Sequence, residues 1–106
     1  MSAQKGSIEK LRRLLKTPWF VLRSIVNGKK MPKAIIDAAL EDLKQARIFV
    51  DEEEIKGRLQ RPCMIFEKLS NGEDILPSDA EVALADLERV VNILIKVKKG
   101  IDSSEA

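Results

Sequence analysis

The sequence contains no histidine, no tyrosine and a single cysteine, Cys63, in 106 residues. Without histidine there is no imidazole to act as a general base, to bind a metal ion or to carry a phosphoryl group. One cysteine excludes a disulfide framework and a zinc site built from several thiolates. No serine lies in a recognisable arrangement with a base, so nucleophilic catalysis has no support. We therefore expect a protein that is not an enzyme and that uses no cofactor and no metal ion.

Long apolar segments are also missing. No run approaches the ~18 residues of a membrane span, and the first ten residues lack the apolar centre of a signal peptide. Cys63 lies between Pro62 and Met64, which is typical of a reducing compartment where a free thiol packs as a small hydrophobic group. We expect a cytoplasmic protein without a membrane partner. Its length predicts a single domain, 1–106, large enough to bury a core without disulfides.

The charges are divided unevenly along the chain. The net charge is +2. Residues 1–50 contain eleven Lys or Arg and four Asp or Glu, which gives +7, and residues 51–106 contain eight and thirteen, which gives −5. The basic half either attracts the acidic half or attracts an outside partner of opposite charge.

Apolar residues recur at steps of three and four in four segments, which predicts four amphipathic helices. Trp19 and Ile48 fall within the apolar stripes and are expected in the core. Gly100 begins a polar tail that we expect to be frayed. Caps and turn signals separate the helices, in chain order at Ser7, Asn27-Gly28, Pro32, Asp51, Asn71-Gly72 and Pro77.

The four helices are predicted to form two copies of one helical hairpin, 7–50 and 51–99. A shift of 44 residues places Pro18 on Pro62 and Asn27-Gly28 on Asn71-Gly72. A proline inside a helix costs about 3 kcal/mol or more, so the same proline in both copies indicates a shared geometry. One hairpin cannot bury its apolar face alone. The sequence therefore predicts an all-α fold, an antiparallel four-helix bundle made of two tandem hairpins.

The segment Leu15-Lys16-Thr17-Pro18, followed by an apolar helix, Asn-Gly and a second helix, resembles the dimerisation and phosphoacceptor hairpin of sensor histidine kinases. In that family the helix carries His-Glu-Leu-Arg-Thr-Pro-Leu, and two hairpins from two subunits form a four-helix bundle. The phosphoacceptor histidine would fall on Arg13 and on Gly57. The resemblance therefore implies a single-chain pseudo-dimer, degenerate and not phosphorylated on histidine, that keeps a docking surface. The same stripes also allow hairpins to exchange between chains into a homodimer.

A helical wheel places Phe20 opposite the apolar stripe of the first helix, among four cations. An exposed apolar centre with a charged rim is typical of interface hot spots. An inherited kink at Pro18 that buries Phe20 is the alternative. The predicted partner-binding residues are Arg12, Arg13, Lys16, Phe20 and Arg23, with Gln60 and Met64 on the equivalent face of the second copy.

Two functions from different classes remain. The first is a regulatory protein–protein interaction module of signal transduction. By the kinase resemblance, its partner would be a two-component signalling protein: a histidine kinase, or a response regulator whose receiver domain has an acidic active site. The second is a small nucleic-acid-associated protein that places its basic half against phosphates. The lack of a groove-reading element, and the acidic half that repels the same strand, disfavour it.

Overall fold

The protein folds into four α-helices, as the periodicity predicts. The computed structural model describes the backbone of residues 5–50 and 52–105 and the side chains of residues 8–50 and 52–97. The helices are α1 (Lys5–Val26), α2 (Lys33–Phe49), α3 (Glu53–Ser70) and α4 (Pro77–Glu105). No strand occurs in this part of the chain. The all-α prediction is confirmed.

The helices pack as a closed ring. In chain order each helix packs against the next, and α4 returns to α1, while no close backbone contact links α1 to α3 or α2 to α4 within the described ranges. Short connections make sequential neighbours antiparallel. The core lies inside the ring, and its largest fully buried aliphatic and aromatic side chains come from all four helices: Leu15, Leu22, Leu43, Leu59, Phe66 and Leu87.

The longest helix spans the whole bundle. Twenty-nine residues of α4 at ~1.5 Å per residue give about 44 Å, close to the 47 Å long axis of the molecule. The helix continues through Gly100, so the expected frayed tail was wrong for the backbone. A glycine inside a helix lowers its stability by about 1 kcal/mol but does not end it. None of the helices, over the residues searched, is both long and apolar enough to cross a membrane.

The C-terminal ends of α1 and α3 have the same geometry. Gly28 and Gly72 both have positive φ angles, 86° and 79°. Lys29 N–H donates to the carbonyl of Ser24 at 2.9 Å, and Glu73 N–H donates to that of Lys68 at 2.9 Å. This six-to-one bond with a left-handed glycine is the Schellman motif. Both helices therefore end by the same mechanism, 44 positions apart, as the predicted repeat requires.

Both internal prolines lie inside helices with buried side chains. Pro18 is inside α1 and Pro62 is inside α3, and each ring is less than 2% exposed. A proline lacks the N–H that would bond the carbonyl four residues earlier. The rings fill the core at equivalent places, so their burial offsets part of that cost. The 44-residue hairpin repeat itself stays a prediction.

Of two predicted N-caps, Ser7 is corrected and Asp51 lies outside the residues that the structure describes. Helix α1 begins at Lys5, so Ser7 is inside the helix and does not cap it. The cap of α3 is Glu52, without a side-chain hydrogen bond, and Asp51 lies outside the described residues. The start of α4 follows the prediction, since Pro77 is its first residue. There the carboxylate of Asp79 accepts a hydrogen bond from the backbone N–H of Leu76 at 3.3 Å. This N–H at the start of the helix therefore has a hydrogen-bond partner.

Two carboxylates of α2 have pKa values shifted in opposite directions. Asp37 accepts a hydrogen bond from the Ser70 hydroxyl at 2.6 Å and pairs with Lys33 at 2.9 Å. These contacts lower the pKa of Asp37 below 3.8, with the Ser70 bond the larger cause. Burial raises the pKa of Asp42 above 3.8, and the neighbouring Glu41 carboxylate adds to it. The ionised form of Asp37 therefore stabilises the folded state, whereas the ionised form of Asp42 destabilises it.

Removing these charges should change stability in opposite directions. Asp37→Asn is expected to lower the free energy of unfolding at neutral pH, with the loss shrinking as the pH falls through the depressed pKa of Asp37. Asp42→Asn is expected to raise it at neutral pH, with the gain vanishing below 3.8, where Asp42 is protonated in both states. Urea unfolding across this pH range measures both. Changes of the same sign at neutral pH would contradict the assignment.

Candidate functional site

The structure places Phe20 in solvent on the outer side of α1. Its side chain is 55% exposed, although Val21 beside it is fully buried and Ser24 is buried. The kink at Pro18 therefore does not turn Phe20 into the core. Arg13, Lys16 and Arg23 share the side of α1 on which Phe20 lies, because positions three, four and seven residues apart fall on one face.

The five predicted residues of α1 form what we call the α1 face. These residues are Arg12, Arg13, Lys16, Phe20 and Arg23. Arg12 is partly buried and the others are exposed. None of the four cations forms an ion pair with a carboxylate among the described residues. The α1 face thus offers an exposed aromatic ring and four cations without a carboxylate partner among the described residues, one of which, Arg23, also lies over the Trp19 ring.

Arg12, Arg13 and Lys16 also line one side of a groove between α1 and α4. This α1–α4 groove has a volume of about 700 Å³. Its other lining residues are Glu9, Leu15 and Trp19 from α1 and Glu88, Val91 and Asn92 from α4. The groove and the α1 face therefore share three cations, while Phe20 lies outside the groove lining.

Trp19 links the two sides of the groove by one hydrogen bond. Its indole Nε1 donates a hydrogen bond to Oε2 of Glu88 at 3.3 Å, and the Arg23 guanidinium lies 5.2 Å from the centre of its ring. Trp19 is partly buried and packs against the hydrophobic core, so the expected core position is found in part, with one edge of the indole in the groove. A tryptophan in an apolar stripe usually finds a hydrogen-bond acceptor for its indole N–H, which was the signal in the sequence for a polar partner such as Glu88.

Gln60 and Met64 lie away from the α1 face. They line a second groove, between α3 and α4, of about 430 Å³, together with Arg58 and Arg61. Met64 is 50% exposed. Here the cations are paired, because Arg58 lies 3.3 Å from Glu54 and Arg61 lies 3.8 Å from Asp86. The α3–α4 groove is thus electrostatically compensated where the α1 face is not.

Cys63 and Ile48 were both predicted to lie in the core. Cys63 is buried, as expected. Ile48 was expected in the core but is 82% exposed near the end of α2, because it lies on the face of the helix opposite the buried residues Ala39 and Leu43. Throughout the described residues, no group of three or more Cys, Asp or Glu side chains is arranged to hold a metal ion.

Comparison with family models, with curated proteins and with solved structures finds no match to this chain. The resemblance to the histidine kinase hairpin therefore stays a prediction. The function has to be argued from the surface itself, on its exposure and its charges.

Proposed function

We propose that this protein is a non-enzymatic interaction module of signal transduction that binds a protein partner through the α1 face. The observation that supports this most is the position of Phe20. A ring that is 55% exposed is costly to keep in water, since its burial by a partner would remove a large apolar area from solvent. Arg13, Lys16 and Arg23 lie on the same side of α1 and form no ion pair with a carboxylate in the part of the chain that the structure describes. An apolar anchor with a charged rim is how hot spots are commonly built.

The charge of the α1 face specifies the chemistry of the partner. Arg13, Lys16 and Arg23 would steer an acidic surface towards Phe20 before the ring is buried. Response-regulator receiver domains have an acidic active site, so they suit this face and agree with the resemblance of the sequence to histidine kinase hairpins. A histidine kinase is the other signalling partner of this type. The partner would be regulated by occlusion of its acidic surface, without a chemical step on this chain.

Gln60 and Met64 form a secondary surface in this proposal. Their groove has paired cations, so it lacks the unpaired positive charge of the α1 face. We expect one principal partner for each bundle, bound at α1, with a weaker contact at α3. In a pseudo-dimer made of one chain, the loss of equivalence between the two copies would convert two docking sites into one strong site.

Charge reversal at the rim tests the proposal. Arg13→Glu is expected to slow association with a purified receiver domain about tenfold at low salt, because rim charges act mainly on the association rate. Dissociation should change little. Lys44→Glu is the matched control, since Lys44 is exposed on α2, outside the α1 face. Stopped-flow kinetics at several salt concentrations measure both, and equal effects of the two variants would contradict the assigned face.

The same salt series, run with duplex DNA in place of the receiver domain, distinguishes the nucleic-acid alternative from protein docking. Binding to duplex DNA through phosphates would fall with ionic strength by a logarithmic slope of ~0.9 for each contact. It would also be insensitive to the aromatic side chain at position 20. Tight DNA binding with such a slope, and none to the receiver domain, would replace the protein-docking proposal.

A further inference from the structure

The α1–α4 groove has features of a small-molecule site that go beyond the docking surface around Phe20, although the two share three cations. Its volume of about 700 Å³ lies within the ~300–1,000 Å³ of typical ligand pockets. The lining combines three cations on consecutive turns of one helix with an apolar floor. Such a combination recognises a ligand that has both a charged part and an apolar part.

The cations that line the groove outnumber its carboxylates. Arg12, Arg13 and Lys16 form no ion pair among the described residues. Two carboxylates also line the groove, Glu9 and Glu88. Glu88 accepts the indole N–H of Trp19 at 3.3 Å and forms no ion pair with the three cations among the described residues. The three cations exceed the two carboxylates, and the groove retains a net positive charge.

The floor of the groove is apolar and held in place. Leu15 is fully buried, and Val91 and Trp19 are partly buried. The hydrogen bond to Glu88 and the Arg23 guanidinium 5.2 Å from the ring centre restrict the orientation of Trp19. A planar ring inserted here would cover apolar surface that is now in contact with water.

We propose that the α1–α4 groove binds a small aromatic polyanion of the size of a nucleoside diphosphate. Its negative groups would bind Arg12, Arg13 and Lys16, where guanidinium groups pair with phosphate oxygens in a bidentate manner. Its ring would lie against the partly exposed Trp19 and Val91. Because three cations also belong to the α1 face, an occupied groove would compete with an acidic protein partner. The binding step itself does not depend on the proposed docking function.

Trp19 provides a direct test, because it is the only tryptophan in the chain and gives one indole N–H resonance. The full-length protein is titrated with ADP, with pyrophosphate and with adenosine. We expect a saturable shift of the indole resonance with ADP, and binding at least about tenfold weaker for pyrophosphate or adenosine alone. Equal affinities for ADP and pyrophosphate would show that the ring is not recognised and would overturn the proposal.

Matched variants locate the site. Arg13→Gln removes one cation of the groove and is expected to weaken ADP binding roughly tenfold, the usual effect of one charge-assisted hydrogen bond. Lys29→Gln removes the same charge in the exposed loop after α1, outside the groove, and should change affinity less than about twofold. Equal losses in both variants would mean attraction without a site. No saturable shift with any of the three compounds would leave the cations to the protein partner and refute the proposal.

Discussion

Phe66→Ala is expected to lower the free energy of unfolding by about 3 to 5 kcal/mol. Phe66 is fully buried in α3, and its equivalent in the first predicted hairpin, Leu22, is also fully buried. Removing the ring loses its transfer free energy and leaves a cavity that the surrounding helices fill only in part. The loss is a large share of the ~5–15 kcal/mol that stabilises a domain.

Urea unfolding measures this effect, with Met64→Ala as the matched control on the same helix. Met64 is 50% exposed, so its truncation should change stability by less than about 0.5 kcal/mol. If Phe66→Ala does not fold, the measurement is made on Phe66→Leu. This variant should fold and lose a smaller but measurable part of the free energy of unfolding, because leucine leaves a smaller cavity. Similar small losses for Phe66→Ala and Met64→Ala would mean that Phe66 is not in the core.

Phe20→Ala is expected to weaken partner binding by a factor of about 30 or more, equivalent to ~2 kcal/mol of binding free energy. The reason is that the partner buries the ring and excludes water from the cationic rim. Stability should stay within about 0.5 kcal/mol of wild type, because the side chain is 55% exposed. Titration calorimetry with a receiver domain measures affinity, and urea unfolding measures stability.

Ile48→Ala is the control for Phe20→Ala. Ile48 is more exposed, at 82%, and lies at the end of α2, outside the α1 face. General stickiness of exposed apolar side chains would make both variants lose affinity. A specific anchor at Phe20 predicts that Ile48→Ala binds as wild type does. Normal binding by Phe20→Ala, or unfolding of this variant, would contradict the site.

The helices and the exposure of Phe20 were predictable from sequence because both depend on one helix at a time. Apolar spacing fixes which side of a helix is buried, and Phe20 lies opposite that side. The ends of α1 and α3 were also predictable from local chemistry. Gly28 and Gly72, which end these helices, have positive φ angles that favour glycine. Each of these features needs no knowledge of neighbouring helices.

The grooves depend on how far apart two helices lie, and the sequence alone did not predict them. Trp19 falls within the apolar stripe, and only the separation of α1 and α4 decides that it also lines a groove and donates a hydrogen bond to Glu88. Ile48 lies on the face of α2 opposite the buried residues, so its assignment to the apolar stripe was wrong within one helix and not because of neighbouring helices. The pairing of Arg61 with Asp86 likewise requires the contact between α3 and α4.

The contact surface itself is mapped most directly by amide chemical shifts of the labelled protein during titration with a receiver domain. The largest shifts are expected on the α1 face, at Arg12, Arg13, Lys16, Phe20 and Arg23, with smaller shifts near Gln60 and Met64. Shifts concentrated on the exposed side of α2, or spread evenly over all four helices, would contradict the claim that α1 carries the docking surface.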